Sequence, residues 1–203
     1  MSKEVKTKEK VNMDPKYILT LTVTLLVTCV IVAGLLGLVN QVTAPNIAKI
    51  NQEKTEAALA AVVADPESAF PPVEVTEEMA GAAKAGGGTL NEAYEVQSAG
   101  ACVGYAFKIT ASGSQGDIVM MVGVDADGVV TGVSIVSNKE TAGIGSKVMN
   151  NENGVLDQFQ GKSSADGALT VGSNVDAISG ATVSTRGVTA GVNAALAVSN
   201  VMG

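Results

Sequence analysis

Residues 117–136 read DIVMMVGVDADGVVTGVSIV, two runs rich in β-branched and long apolar side chains, Asp117–Val124 and Val129–Val136, joined by Asp125-Ala126-Asp127-Gly128. A short acidic connector with Gly where positive φ is needed, between two such runs, predicts an antiparallel hairpin. Asp125 and Asp127 also open a calcium-loop pattern, but the further acidic positions of an EF-hand do not follow, so the pair reads as a turn. Upstream, Cys102-Val103-Gly104-Tyr105-Ala106-Phe107-Lys108-Ile109 predicts another strand, so that strand pattern runs from about residue 94 to 136. Downstream, residues 137–150 read as a polar, glycine-bearing loop leading into a short helix at Ser146-Lys147-Val148-Met149. The chain ends on a predicted helix with the seam Val188, Gly191, Val192, Ala195, Leu196 and Ser199, for which Ser184 or Thr185 is a suitable N-cap. Strands first and helices flanking them predict an α+β domain with an antiparallel sheet over residues 94–203.

Ahead of that domain, residues 17–39 (YILTLTVTLLVTCVIVAGLLGLV) are free of charge. A helix of this length, at about 1.5 Å per residue, crosses a hydrocarbon core of about 30 Å. Lys3, Lys6, Lys8, Lys10 and Lys16 precede it, which orients residues 1–16 as a cytoplasmic tail and the remainder as extracytoplasmic. Val42-Thr43-Ala44 resembles a cleavage site, yet Pro45 follows directly and the apolar run is too long for a signal peptide. Leu26-Val27-Thr28-Cys29 ends like a lipoprotein box, but the apolar run continues past Cys29. A single-pass anchor in the cell (inner) membrane is therefore expected. Residues 40–93 read as a juxtamembrane helix followed by a linker or peripheral layer. The helix starts behind Pro45, with a seam at Ile47, Ile50, Ala57, Ala58, Ala61 and Val62; Gly86-Gly87-Gly88 is the softest point of the layer after it.

Composition removes much chemistry. The 203 residues include no His and two Cys, one of them inside the apolar run, which excludes His-dependent triads and leaves no cysteine set for zinc or an iron–sulfur cluster. Cys102 then has no disulfide partner outside the membrane and reads as a free thiol. Residues 45–203 carry eight basic against seventeen acidic groups, so no basic face is available for nucleic acid.

The segment Asp176-Ala177-Ile178-Ser179-Gly180-Ala181-Thr182, followed by Val183-Ser184-Thr185-Arg186, is where small residues and a hydroxyl meet a helix start. A phosphate there would find free N–H groups and the positive end of the helix dipole, with Arg186 and Lys147 as further cationic neighbours. Spacing alone favours an ordinary turn and helix cap over a phosphate site, because capping also uses Ser, Gly and Thr before a helix.

Asp176-x-x-Ser179-Gly180-Ala181-Thr182 resembles the acceptor motif of proteins carrying covalent FMN, in which a flavin transferase uses FAD to attach FMN through its phosphate to the last Thr. The likeness extends to the single membrane helix, to Leu38-Val39-Asn40-Gln41-Val42-Thr43-Ala44-Pro45, to Val122-Gly123-Val124-Asp125 and to Ser137-Asn138-Lys139-Glu140-Thr141-Ala142-Gly143-Ile144-Gly145. Together these resemble the G subunits of Rnf complexes, ion-translocating ferredoxin:NAD⁺ oxidoreductases, and next the C subunits of Na⁺-translocating NADH:quinone oxidoreductases. The family commonly has His at the position of Asn138 and Pro at that of Ala142. The resemblance implies one covalent FMN on Thr182, with Asp176, Ser179, Gly180 and Ala181 as the acceptor loop and Glu140, Thr141, Gly143 and Gly145 near the flavin. It also implies a flavin transferase for maturation and, as partners, the other subunits of an electron-transport complex in the bilayer. Thr182 would be a substrate of that transferase and not a catalyst, since nothing in the motif activates it. The competing readings are an anchored regulatory or binding domain, and a structural domain in which Ser-Gly-Ala-Thr only caps a helix.

Overall fold

The computed structural model describes residues 15–63, 65 and 68–202; the tail of residues 1–16 lies outside them apart from Pro15 and Lys16. The chain falls into two compact units, Met1–Ile50 and Asn51–Gly203. Its first element, α1, is a helix over Pro15–Val62. The part in the first unit is long and apolar enough to cross a membrane and buries none of its apolar span. The hydroxyls of Thr20, Thr22, Thr24, Thr28 and Thr43 each donate to a carbonyl four residues earlier, at 2.8–3.0 Å, so no polar group of these side chains is left to lipid. The sequence predicts a break with a fresh start behind Pro45, whereas the helix continues through it. Pro45 forfeits one backbone bond, to the carbonyl of Gln41, and no glycine or C-cap signal beside it offers the chain an alternative.

The second unit holds a sheet with a helical layer on each face. After α1 come the edge strand β1 (Pro72–Val73), helix α2 (Glu77–Gly86), and strands β2 (Gly88–Ser98), β3 (Ala101–Ser112), β4 (Asp117–Asp125) and β5 (Val130–Asn138). The five strands run in the order β1-β2-β3-β4-β5, each antiparallel to the next. The predicted hairpin is β4–β5: the Asp125 carboxylate accepts from the N–H groups of Asp127 (3.0 Å) and Val129 (2.9 Å), and Gly128 sits at φ +76°. A short helix, α3 (Ser146–Met149), and three single turns lead to α4 (Thr182–Met202).

One sheet face, with Phe107, Ile109, Ile118, Met120 and Val122, packs on α4 and α2. Every residue of the expected α4 seam is buried. The opposite face, with Val96, Ala106, Met121 and Val136, is covered by the end of α1. There the buried seam is Thr55, Ala58, Leu59 and Val62; of the predicted seam only Ala58 and Val62 take part. Gly123 and Gly132 face each other across β4–β5 and leave room for Val62, whose carbonyl accepts from Thr131 Oγ1 at 2.6 Å.

Residues 68–93, within the segment expected as a linker or peripheral layer, are part of the packed domain. Thr76 caps α2 by accepting from Met79 N–H, Met79 and Ala83 join the main core, and β2 begins at Gly88, before the expected boundary at 94. Gly86-Gly87-Gly88 is a tight contact and not a soft point. A Cβ on Gly86 would sit 2.5–2.8 Å from the Ala194 and Asn193 backbone, and Gly87 ends α2 at φ +98°. Small residues let α2 close on α4, and composition alone does not tell close approach from flexibility.

Candidate functional site

The acceptor loop ends in a turn closed by Ala181 N–H on the carbonyl of Ile178 (2.9 Å), with Gly180 at its third position at φ +83°. A positive φ there is the reason for glycine in Ser179-Gly180-Ala181. Ala181 is the N-cap residue, since its carbonyl accepts the first helical bond from Thr185 N–H (3.0 Å). The predicted cap, Ser184 or Thr185, therefore lies inside α4, which starts earlier, at Thr182. Ala181 has no side-chain oxygen to offer. Among the described residues nothing accepts from the N–H groups of Thr182, Val183 and Ser184, and the half-buried Thr182 hydroxyl has no partner. A 21-residue helix thus begins with three open donors and a hydroxyl, the arrangement that receives a phosphate.

Around this helix start lies a cleft of about 340 Å³ lined by Ser114, Gln115, Glu140, Thr141, Gly145 and Gly180–Ser184, with Ile144 on its rim. Three segments build it: the β3–β4 turn, the loop after β5, and the acceptor loop. Glu140, on the second of these, ties the β3–β4 turn to the first turn of α4. Its Oε1 accepts from Ser114 N–H (2.6 Å) and Gln115 N–H (3.3 Å), its Oε2 from Ser184 Oγ (2.7 Å). Its own N–H donates to Asn138 Oδ1 (3.1 Å). The Thr141 carbonyl accepts from Ile144 and Ser146 N–H, and Gly143, at φ +78°, donates to Ser146 Oγ (2.8 Å). Ile144 and Val183, each about half exposed, give the cleft apolar surface.

Thr182, Gly180, Ala181, Glu140, Thr141 and Gly145 thus line one cleft. Asp176 and Ser179 line another, of about 440 Å³, with Lys147, Asn153 and Gln158. Gln158 clamps the Asp176 backbone, accepting from its N–H (2.7 Å) and donating to its carbonyl (2.9 Å), so the Asp176 carboxylate is left exposed. Gly143 lines neither cleft. Ser114, Gln115, Ile144, Val183 and Ser184 carry no sequence signal that marks them as cleft residues, apart from the spacing of Ser184, two after the acceptor threonine.

The shifted ionisations lie on the sheet, away from this cleft. Burial, then the hydrogen bond to Glu92, pushes Tyr94 up to about 12. For Glu92 burial acts upward, but the hydrogen bonds from Lys108 (2.9 Å) and Tyr94 hold it below the usual carboxylate value.

With that geometry in hand, likeness to known proteins becomes informative. A family model described as FMN-binding domain matches residues 113–197, a span containing the whole cleft. The chain is 36% identical over 96% of its length to the G subunit of the Na⁺-translocating ferredoxin:NAD⁺ oxidoreductase complex of Acetobacterium woodii, covering 97% of that protein. It belongs to the family of G subunits of ion-translocating oxidoreductase complexes. A second member, the G subunit of the ion-translocating oxidoreductase complex of Methanosarcina acetivorans, is 31% identical over 90% of this chain and 95% of its own. The crystal structure of Shewanella oneidensis NqrC aligns with 66% of this chain and 65% of its own, at 21% identity and a TM-score of 0.43. FMN is accordingly the cofactor of this family member, and its domain is the one that holds the Thr182 cleft.

The residues present fit that group. A phosphate is matched by three unpartnered N–H donors at the start of α4, and an aromatic ring system by the exposed Ile144 and Val183 side chains.

Proposed function

We propose that this chain is the FMN-carrying electron-transfer subunit of an Rnf-type, ion-translocating ferredoxin:NAD⁺ oxidoreductase, with FMN joined through its phosphate to Thr182 Oγ1. The observation that carries the reading is the unpartnered Thr182 hydroxyl beside three open N–H groups at the mouth of a cleft. FMN supplies reversible one- and two-electron chemistry, which no side chain of this protein offers.

The chain's own residues bind and place. The N–H groups of Thr182, Val183 and Ser184 would hold the phosphate, with the α4 dipole favouring its charge. Gly180 turns the loop into the start of α4, and Ile144 and Val183 would offer the ring apolar surface. Among the described residues no base is positioned on Thr182, so attachment falls to a flavin transferase. The threonine oxygen attacks the flavin-side phosphorus of FAD, the pyrophosphate bond breaks, AMP leaves, and the hydroxyl proton is released. The exposed Asp176 and Ser179 form the face of the loop that such an enzyme can grip.

The helix over residues 17–39 anchors the domain in the cell membrane. The lysine-rich tail stays in the cytoplasm and residues 94–203 lie on the outer side, next to the membrane subunits of the complex. The span holds no ionisable carboxylate, so ion movement belongs to those partners.

Producing the chain with a flavin transferase tests this. Its denatured mass should rise by one FMN less one water, and membranes bearing Thr182→Val should assemble the complex yet lose ferredoxin-driven NAD⁺ reduction. An unmodified wild-type chain would refute the reading.

A further inference from the structure

Glu140 lines the Thr182 cleft, yet neither of its carboxylate oxygens is turned over to a ligand. Oε1 receives the N–H groups of Ser114 and Gln115, and Oε2 receives the Ser184 hydroxyl. Ser114, Gln115 and Ser184 lie 26, 25 and 44 residues away in sequence, on two different segments, so one side chain holds the β3–β4 turn against the first turn of α4. The surroundings are shaped for it. A Cβ on Gly113 would collide with Oε1, and a Cβ on Gly145 would collide with Oε2 and come 2.8 Å from Ser184 Oγ. Two glycines therefore keep clear the volume that the carboxylate fills, which accounts for Gly145 better than room for a flavin does. The charge, fixed by three donors, sits in the positive field at the start of a 21-residue helix.

We infer that Glu140 is a charged strut: it fixes the walls of the cleft, and its fixed negative charge lowers the reduction potential of FMN held at Thr182. The second half rests on the function proposed above; the first does not. A carboxylate held beside the cofactor opposes the addition of electrons. Glu140 is in this sense a positioning residue. It acts on the cofactor through the loops it ties and through its field.

Two variants separate the roles. Glu140→Gln keeps an acceptor for Ser114 and Gln115 and a group that can donate to Ser184 Oγ, but removes the charge. Glu140→Ala removes both. In the full-length chain made without a transferase, amide hydrogen exchange at Ser114 and Gln115 should accelerate about tenfold in Glu140→Ala and much less in Glu140→Gln. Unchanged exchange in the alanine variant would overturn the strut.

In the chain made with a transferase, spectroelectrochemical titration should find the Glu140→Gln flavin about tenfold easier to reduce, a shift of about +30 mV for a two-electron couple. A potential equal to that of the wild type would overturn the field effect. Should the wild-type chain take up no FMN, the field effect falls together with the proposed function, while the exchange measurement still decides the strut.

Discussion

Thr182, Thr185 and Thr189 lie on the same helix within two turns, and their hydroxyls have opposite fates. Thr185 and Thr189 are buried, and each donates to the carbonyl four residues before it, Ala181 at 3.1 Å and Thr185 at 2.8 Å. Thr182 is half-buried, and its hydroxyl has no partner among the described residues. The difference follows from position. Deep in the helix a threonine finds a carbonyl one turn back, whereas at the first helical residue the preceding turn does not exist. The attachment proposed for this site therefore depends on where the helix starts, and Ala181 leaves that start without a capping side chain.

The comparison breaks most sharply by substitution of the hydroxyls themselves. Thr182→Val should abolish in-gel flavin fluorescence of the denatured chain. Thr185→Val should keep it, with unfolding free energy within about 1 kcal/mol of the wild type, because one internal hydrogen bond is lost and the shape is preserved.

Next in size is Gly145→Ala, which thrusts a methyl into Glu140 and Ser184 Oγ. Overpacking of this kind costs about 1–3 kcal/mol, seen as a lower midpoint in urea, and FMN incorporation should fall with it because Ser184 belongs to the same helix turn. Gly180→Ala forces a side chain to φ +83° and should cost about 1 kcal/mol. Slower attachment by the transferase is expected alongside this.

The smallest effect belongs to the sheet, far from the comparison, and serves as its control. Tyr94 should ionise near pH 12 in an absorbance titration. Its folded value is raised above the unfolded value of 10.0, so the stability it contributes is intact below about pH 10 and is lost as pH rises through about 12. Tyr94→Phe should remove that alkaline loss and leave FMN attachment alone.

The parts of the fold that repeat a pattern were legible in the sequence. The β4–β5 hairpin announced itself through β-branched runs and Asp125–Gly128, and α4 through a seam that is buried throughout. Helix α2 was not legible, because EEMAGAAKAG has few large apolar residues, and its burial depends on glycine contacts with α4 that no local pattern shows. At the site, the motif marked the acceptor loop, and the structure gathers Glu140 and Thr141 beside Thr182. What the sequence could not show is that Glu140 points into the protein, since its partners come from the distant β3–β4 turn and from α4. Nor could it show that Asp176 and Ser179 face a separate cleft, which depends on the clamp from Gln158.

The most direct test is to localise the flavin on the chain. Trypsin should release residues 163–186 as one peptide, in which Ser163, Ser164, Thr170, Ser173, Ser179, Ser184 and Thr185 are rivals to Thr182 as acceptor. After production with a flavin transferase, fragmentation of that peptide should place a single FMN phosphoester on Thr182. A flavin on any neighbouring hydroxyl, or none on this peptide, would contradict the account.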